Sequence, residues 1–198
     1  MNTRWQPFIL GISGASGVIL GIRMLEELRK LQIETHLVLT KAAEQTILFE
    51  TNYQVNDVQA LAYRNYPIDD IGAVIASGSQ PVMGMAVVPC SIKSLSAIAN
   101  AYSADLLTRA ADVTLKEGRP LLLAVRETPL HAGHIRLLQL AANAGAILFP
   151  PVPAFYTNPQ TVDEIISNIV GRILMRMGIT NNLYQPWKPD LPHQEIHG

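Results

Sequence analysis

The sequence holds a single cysteine, Cys90, so no disulfide can form within the chain and a reducing compartment suits it. Charge is scarce: Asp, Glu, Lys and Arg make up 16% of the 198 residues, against about 25% in an ordinary soluble domain. With so few charges to cover its exterior, the chain is expected to bury much of its surface between subunits. Neither sign dominates, since 15 basic and 16 acidic side chains leave a net charge of −1. Binders of nucleic acid or anionic membranes need a basic excess, so neither partner is expected. No apolar run reaches the roughly 18–20 residues of a membrane span. The apolar stretch from Pro7 to Gly21 is broken by Gly11, Ser13, Gly14, Ser16 and Gly17 and closes on no small-x-small cleavage site, which speaks against a secretory signal. A cytoplasmic location is expected.

What is present is a core. Hydrophobic residues make up 48% of the chain, and its length is enough to bury most of them without disulfide or metal. Residues 1–198 are expected to form one domain with an extended tail from about Thr180. Phe8 to Ile12 is a short apolar run stopped by Gly and Ser, a buried strand. Val18 to Leu31 places Ile22, Leu25 and Leu28 at helical spacing. Strands are expected over Ile33 to Leu39, Met85 to Val88, Leu121 to Val125 and Ala146 to Phe149. Helices are expected over Ala42 to Phe49, from Ser91 to about Ala101, and over Ala104 to Glu117, His134 to Asn143 and Val162 to Met177. Thr161 with Glu164 reads as a capping box before the last. Asn52 to Asp70 has no strong period. Strand and helix alternate, which predicts an α/β three-layer sandwich with a mainly parallel sheet and a ligand site at the carboxyl ends of the strands.

The first strand–helix loop, Gly11 to Gly17, is glycine-rich and opens a helix, a combination that lets backbone N–H groups approach an anion. It is neither G-x-G-x-x-G nor a Walker A loop, and a tight turn needing Gly for packing explains it equally well. Thr40, Ser91, Ser94, Ser96, Arg126 and Glu127 follow at other strand ends. Hydroxyls and one Arg at a sheet edge suit a mononucleotide with a flat ring, although Ser91 can equally serve as a helix cap. Arg109 and Lys116 lie seven residues apart and share a helix face; Arg109 can also pair with Asp112, and Lys116 can simply favour the helix C-terminus. Arg172 sits at the edge of an apolar stripe, an unusual place for a solvated Arg. Cys90 stands where a helix N-terminus would stabilise a thiolate, but a small core thiol is the plainer reading. His131 and His134 have metal-ligand spacing without an evident third ligand, so no metal is expected. Asp69-Asp70 reads as a solvated turn, and His193 and His197 as tail residues.

Several blocks taken together carry more weight than any one loop: Gly11–Gly17 (GISGASG), Thr40–Ala43 (TKAA), Glu50-Thr51, Pro89–Leu95 (PCSIKSL), Leu107–Glu117 (LTRAADVTLKE), Val125–Pro129 (VRETP) and Pro150–Tyr156 (PPVPAFY) with Pro159-Gln160. In this order they resemble the UbiX-like flavin prenyltransferases, once called aromatic-acid decarboxylases, from about Phe8 to Trp187. The resemblance implies a Rossmann-like, flavodoxin-related subunit in an assembly of twelve identical chains. It implies reduced FMN as acceptor substrate and dimethylallyl monophosphate as donor. The prenyl carbons join flavin N5 and C6, and the prenylated FMN serves a UbiD-type decarboxylase.

Position by position, the resemblance assigns Gly14, Ala15, Ser16, Thr40, Ser91, Ile92, Lys93, Ser94 and Arg126 to FMN. Arg109, Lys116, Glu127, Tyr156 and Arg172 fall to the donor phosphate, and Ser16, Glu50 and Glu127 to catalysis. Thr40 replaces the family's usual Ser but keeps the hydroxyl, and Gly118 replaces an Arg in an expected turn. Two Arg, one Lys and one Tyr would neutralise charge growing on the leaving phosphate, and Glu127 would exchange a proton with it. Tyr156 and Phe155 offer walls for an allylic cation, with Trp187 expected from a neighbouring chain. Three other classes compete: a non-catalytic FMN-binding subunit or carrier for a hydroxyarylic acid decarboxylase, a flavin oxidoreductase acting on a peptidyl cysteine, and a direct decarboxylase. A carrier needs no second anion site, the oxidoreductase uses a catalytic His in the equivalent of the helix that contains Glu50, and nothing here would stabilise a carbanion without a modified flavin.

Overall fold

The computed structural model describes residues 6–184; Trp187, His193 and His197 lie outside them. Six strands form one sheet: β1 (Phe8–Ile12), β2 (Thr35–Leu39), β3 (Arg64–Tyr66), β4 (Gly84–Cys90), β5 (Leu121–Val125) and β6 (Ile147–Leu148). Their order is β3-β2-β1-β4-β5-β6, and every pairing among the described residues is parallel. The helices are α1 (Val18–Lys30), α2 (Lys41–Glu50), α3 (Val55–Gln59), α4 (Ile92–Ala99), α5 (Leu106–Lys116), α6 (Ala132–Asn143) and α7 (Val162–Arg176). This is the α/β sandwich the alternation predicts, and the sheet is wholly rather than mainly parallel.

β1, β2, β4 and β5 are buried along their whole length, as parallel strands covered on both faces must be. Alternation along β1 divides the core in two. Phe8, Leu10 and Ile12 pack with α1 and with Ile169, Val170, Ile173 and Leu174 of α7. Ile9 packs with Leu95 of α4, Leu107 and Ala110 of α5, and Ala141 of α6. Gly21 lets α1 lie directly on the sheet, since a Cβ there would stand 2.4 Å from the Val88 carbonyl oxygen.

The differences from the expected elements have local causes. β4 runs through Pro89 to Cys90 instead of ending before the proline, with a register shift against β5 between Val87 and Cys90; a bulge is where a central strand tolerates a residue without N–H. The aperiodic stretch from Asn52 to Asp70 contains α3 and edge strand β3, of which only Tyr66 is buried. Thr161 caps α7 by accepting the Glu164 N–H (3.1 Å), but Glu164 Oε2 accepts from the Gln160 N–H (2.7 Å), so the box is half formed.

Candidate functional site

In such a sheet the order reverses between β1 and β4. The chain leaves these neighbours toward opposite faces and opens a crevice at their carboxyl ends. Three helix N-termini reach this edge. α1 begins at Gly17, whose φ of 95° lies in the left-handed region and which supplies no side-chain cap. The missing cap comes from Glu50, at the end of α2: its Oε2 accepts the N–H groups of Gly17 (2.7 Å) and Val18 (3.3 Å). A carboxylate is thus held at the positive end of α1 beside the loop. α2 starts at Thr40, whose Oγ1 accepts the Ala43 N–H (3.1 Å) and whose own N–H donates to the Ile12 carbonyl (3.1 Å). α4 starts at Ser91, whose Oγ accepts the Ser94 N–H (3.2 Å).

The loops are fitted to one another. A Cβ on Gly14 would lie 2.3 Å from that of Ala42, so the first loop seats against α2 only without a side chain there. Ala15 and Ser94 are buried, while Ser16 and Lys93 are exposed and Ile92 half-buried. Arg126, at the end of β5, is exposed and joined to the crevice by its N–H to the Cys90 carbonyl (3.1 Å). Glu127 beside it is exposed and accepts the Thr128 N–H (3.0 Å).

The cations behave differently. Arg109 pairs with Asp112 (3.0 Å) and Lys116 with Glu117 (3.2 Å). Seven residues along α5 separate them by about 10 Å. α5 begins where the Leu106 N–H meets the Ile68 carbonyl, past the carboxyl end of β3, and ends just before β5. Lys116 therefore stands at the opposite edge of the sheet from the loops. Arg172, on α7, lies across the sheet from α5, with its guanidinium carbon 5.8 Å from the ring centres of both Phe149 and Tyr184. The Tyr156 hydroxyl donates to that of Tyr184 (3.3 Å), and this bond is the main reason its pKa is raised. One chain thus gathers Tyr156 and Arg172 around Tyr184 and leaves Arg109 and Lys116 on the other face.

The description Flavoprotein belongs to the family model that matches residues 2–174. The flavin prenyltransferase UbiX of Escherichia coli is 53% identical over 186 residues, which cover 92% of this chain and 98% of the relative. The chain belongs to the UbiX flavin prenyltransferase family. A crystal structure of AnUbiX in complex with FMN and dimethylallyl pyrophosphate superposes with a TM-score of 0.91 at 44% identity, covering 92% of this chain and 97% of that one. A dodecameric FMN-dependent UbiX-like decarboxylase from Escherichia coli gives a TM-score of 0.90 at 42% identity, covering 92% of this chain and all (100%) of that one.

Within this UbiX-family chain, two sequence candidates resolve into structure. Cys90 is fully buried, and burial pushes its thiol up to about 12, so it is a neutral core group rather than a thiolate. His131 caps α6, its Nδ1 accepting the Gly133 N–H (3.0 Å), with its ring centre 3.7 Å from that of His134. Among the described residues no three His, Cys, Asp or Glu side chains are grouped to hold a metal. Gly118 sits in a turn with φ 65° and open space around it. The sequence places Ser13 in the Gly11–Gly17 loop but gives it no role of its own. It is a fully buried hydroxyl at the mouth of the crevice, and a polar residue directly after a wholly apolar strand was the available signal.

Proposed function

We propose that this chain joins a dimethylallyl group to N5 and C6 of reduced FMN. The donor's C–O bond to phosphate breaks as its carbon bonds to N5, which gives up its proton; the prenyl double bond is then spent in the bond to C6, its middle carbon taking up a proton as the C6 proton is lost. The observation that carries the reading is Glu50: besides capping α1, it puts a carboxylate that can take a proton beside a mononucleotide cradle. The cradle suits FMN. Glycine removes side chains where the backbone must approach, the N-termini of α2 and α4 favour the phosphate, and Thr40, Ser91, Ser94 and Arg126 supply hydroxyls and one cation. Gly14, Ala15, Ser16, Ile92 and Lys93 complete the proposed contacts. Ser16 orients the reacting groups, and Glu50 or the released phosphate takes the ring proton. Glu127 trades a proton with the donor phosphate, which Arg109, Lys116, Tyr156 and Arg172 neutralise.

Because these four stand on two faces of one chain, the reading requires a homo-oligomer in which neighbours complete the donor site. A dodecamer fits the likeness to a dodecameric relative, the low charge content, and exposed apolar side chains such as Phe49 (88%) and Phe155 (71%). We further infer that residues 1–198 act as one flavoprotein domain, that the chain works in the cytoplasm, and that the product passes to a UbiD-type decarboxylase. In the described residues no helix is long and apolar enough to cross a membrane.

The deciding experiment is the mass and visible spectrum of the flavin after anaerobic incubation with reduced FMN and dimethylallyl monophosphate, with the diphosphate in a parallel reaction. Gain of one C5 unit with a changed spectrum is expected. Unmodified FMN from folded, donor-saturated protein would overturn prenyl transfer in favour of a carrier.

A further inference from the structure

We infer that Ser13 is the positioning residue that holds the two principal FMN loops in register. The inference rests on the flavin reading above. Backbone pairing between β1 and β4 runs from Phe8↔Gly84 to Gly11↔Val87 and stops there. Beyond it the two chains part toward helices on opposite faces of the sheet, so the width of the crevice needs a link outside the ladder. Ser13 supplies one. Its Oγ donates to the Pro89 carbonyl (2.9 Å) and accepts the Ser91 N–H (2.8 Å), and its own N–H also donates to the Pro89 carbonyl (3.2 Å). A single hydroxyl thus satisfies both a donor and an acceptor of the opposing loop, on either side of Cys90.

The consequence falls on α4. Ser91 is its cap residue, so fixing the Ser91 N–H fixes where α4 begins and where the N–H groups of Ile92 and Lys93 point. Ser13 is 0% exposed, so water cannot stand in for it. Removing the hydroxyl leaves the Ser91 N–H at the crevice mouth to find a new partner and the Pro89 carbonyl with the Ser13 N–H alone, which shifts the loop. Ser13 acts through the backbone and does not touch the ligand.

The experiment compares Ser13→Ala with Thr114→Val, which deletes another buried hydroxyl, bonded to the Ala110 carbonyl (2.7 Å) within α5 and away from the crevice. Ser13→Ala is expected to weaken FMN binding about tenfold and to change the visible circular dichroism of bound FMN, with turnover at saturating flavin nearly kept. Thr114→Val is expected to lower Tm while leaving FMN affinity alone. Equal loss of Tm in both variants with unchanged FMN affinity in both would overturn the inference. If Ser13→Ala does not fold, hydrogen exchange of wild-type protein without flavin decides: the Ser91 amide is expected to be protected, and exchange as fast as an open loop would overturn the latch. Should wild-type protein bind no FMN, the flavin reading fails by itself, and the exchange result still tests the latch.

Discussion

The crevice between β1 and β4 is finished within one chain, whereas the cations proposed for the donor phosphate are not. At the crevice, Thr40, Ser91 and Glu50 already cap helices, Ser13 bridges the loops, and Gly14 gives the first loop its seat. The cations are instead quenched locally or held apart: Arg109 by Asp112, Lys116 by Glu117, and Arg172 among rings across the sheet. A site made of backbone N–H groups is set by how a strand enters a helix and needs nothing from outside. A site made of long cationic side chains on different layers needs another surface to gather them.

The largest expected effect separates the two regions. Arg172→Ala or Arg109→Ala should slow prenyl transfer about 10²–10³-fold, the usual cost of deleting one group that stabilises developing charge, and leave FMN affinity near wild type. Flavin titration and donor-varied kinetics measure both quantities. If the two variants are dissociated and co-assembled, activity should partly return, because some sites then draw an intact Arg109 and an intact Arg172 from different chains. Absence of recovery would mean that each site takes both residues from one chain.

The same division explains what the sequence made legible. β1, α1 and β5 are apolar or amphipathic over whole elements, and the Gly11–Gly17 loop announces its own conformation. β3 escaped notice because Arg64 and Asn65 are exposed and only Tyr66 turns inward; its hydroxyl lies 3.3 Å from His36 Nδ1 on β2, a contact no local pattern encodes. Ser13 escaped for the same reason, since its partners stand 76 and 78 positions away. The helical spacing of Arg109 and Lys116 put them correctly on one face of α5, but spacing within a helix cannot say that α7 covers the other side of the sheet.

Glu50→Gln comes next. The amide oxygen can still accept the Gly17 N–H, so FMN binding should change little. Proton acceptance is lost, and turnover should fall about a hundredfold, within the usual range for a general base. Equal losses in binding and turnover would make Glu50 a loop anchor only. Unchanged turnover would remove it from the chemistry.

The smallest effect concerns the strap between the two regions. Arg23, on the helix that follows the Gly11–Gly17 loop, bonds Asp163 and donates to Ser167 (2.7 Å) on α7, the helix that carries Arg172. The Arg23 hydrogen bond, with its charge, holds the Asp163 carboxyl below its ordinary 3.8. A depressed aspartate pKa favours the folded state above the unfolded value, and that contribution disappears as pH falls through the folded value. Exposure keeps it small: Asp163→Asn should lower Tm by about 1–2 °C at pH 7. The gap between variant and wild type should narrow as pH falls from 5 to 3, and FMN affinity should stay unchanged throughout. A gap independent of pH would assign the strap to hydrogen bonding and packing rather than charge. A shift in FMN affinity would mean that the crevice depends on α7, so that the two regions are mechanically one.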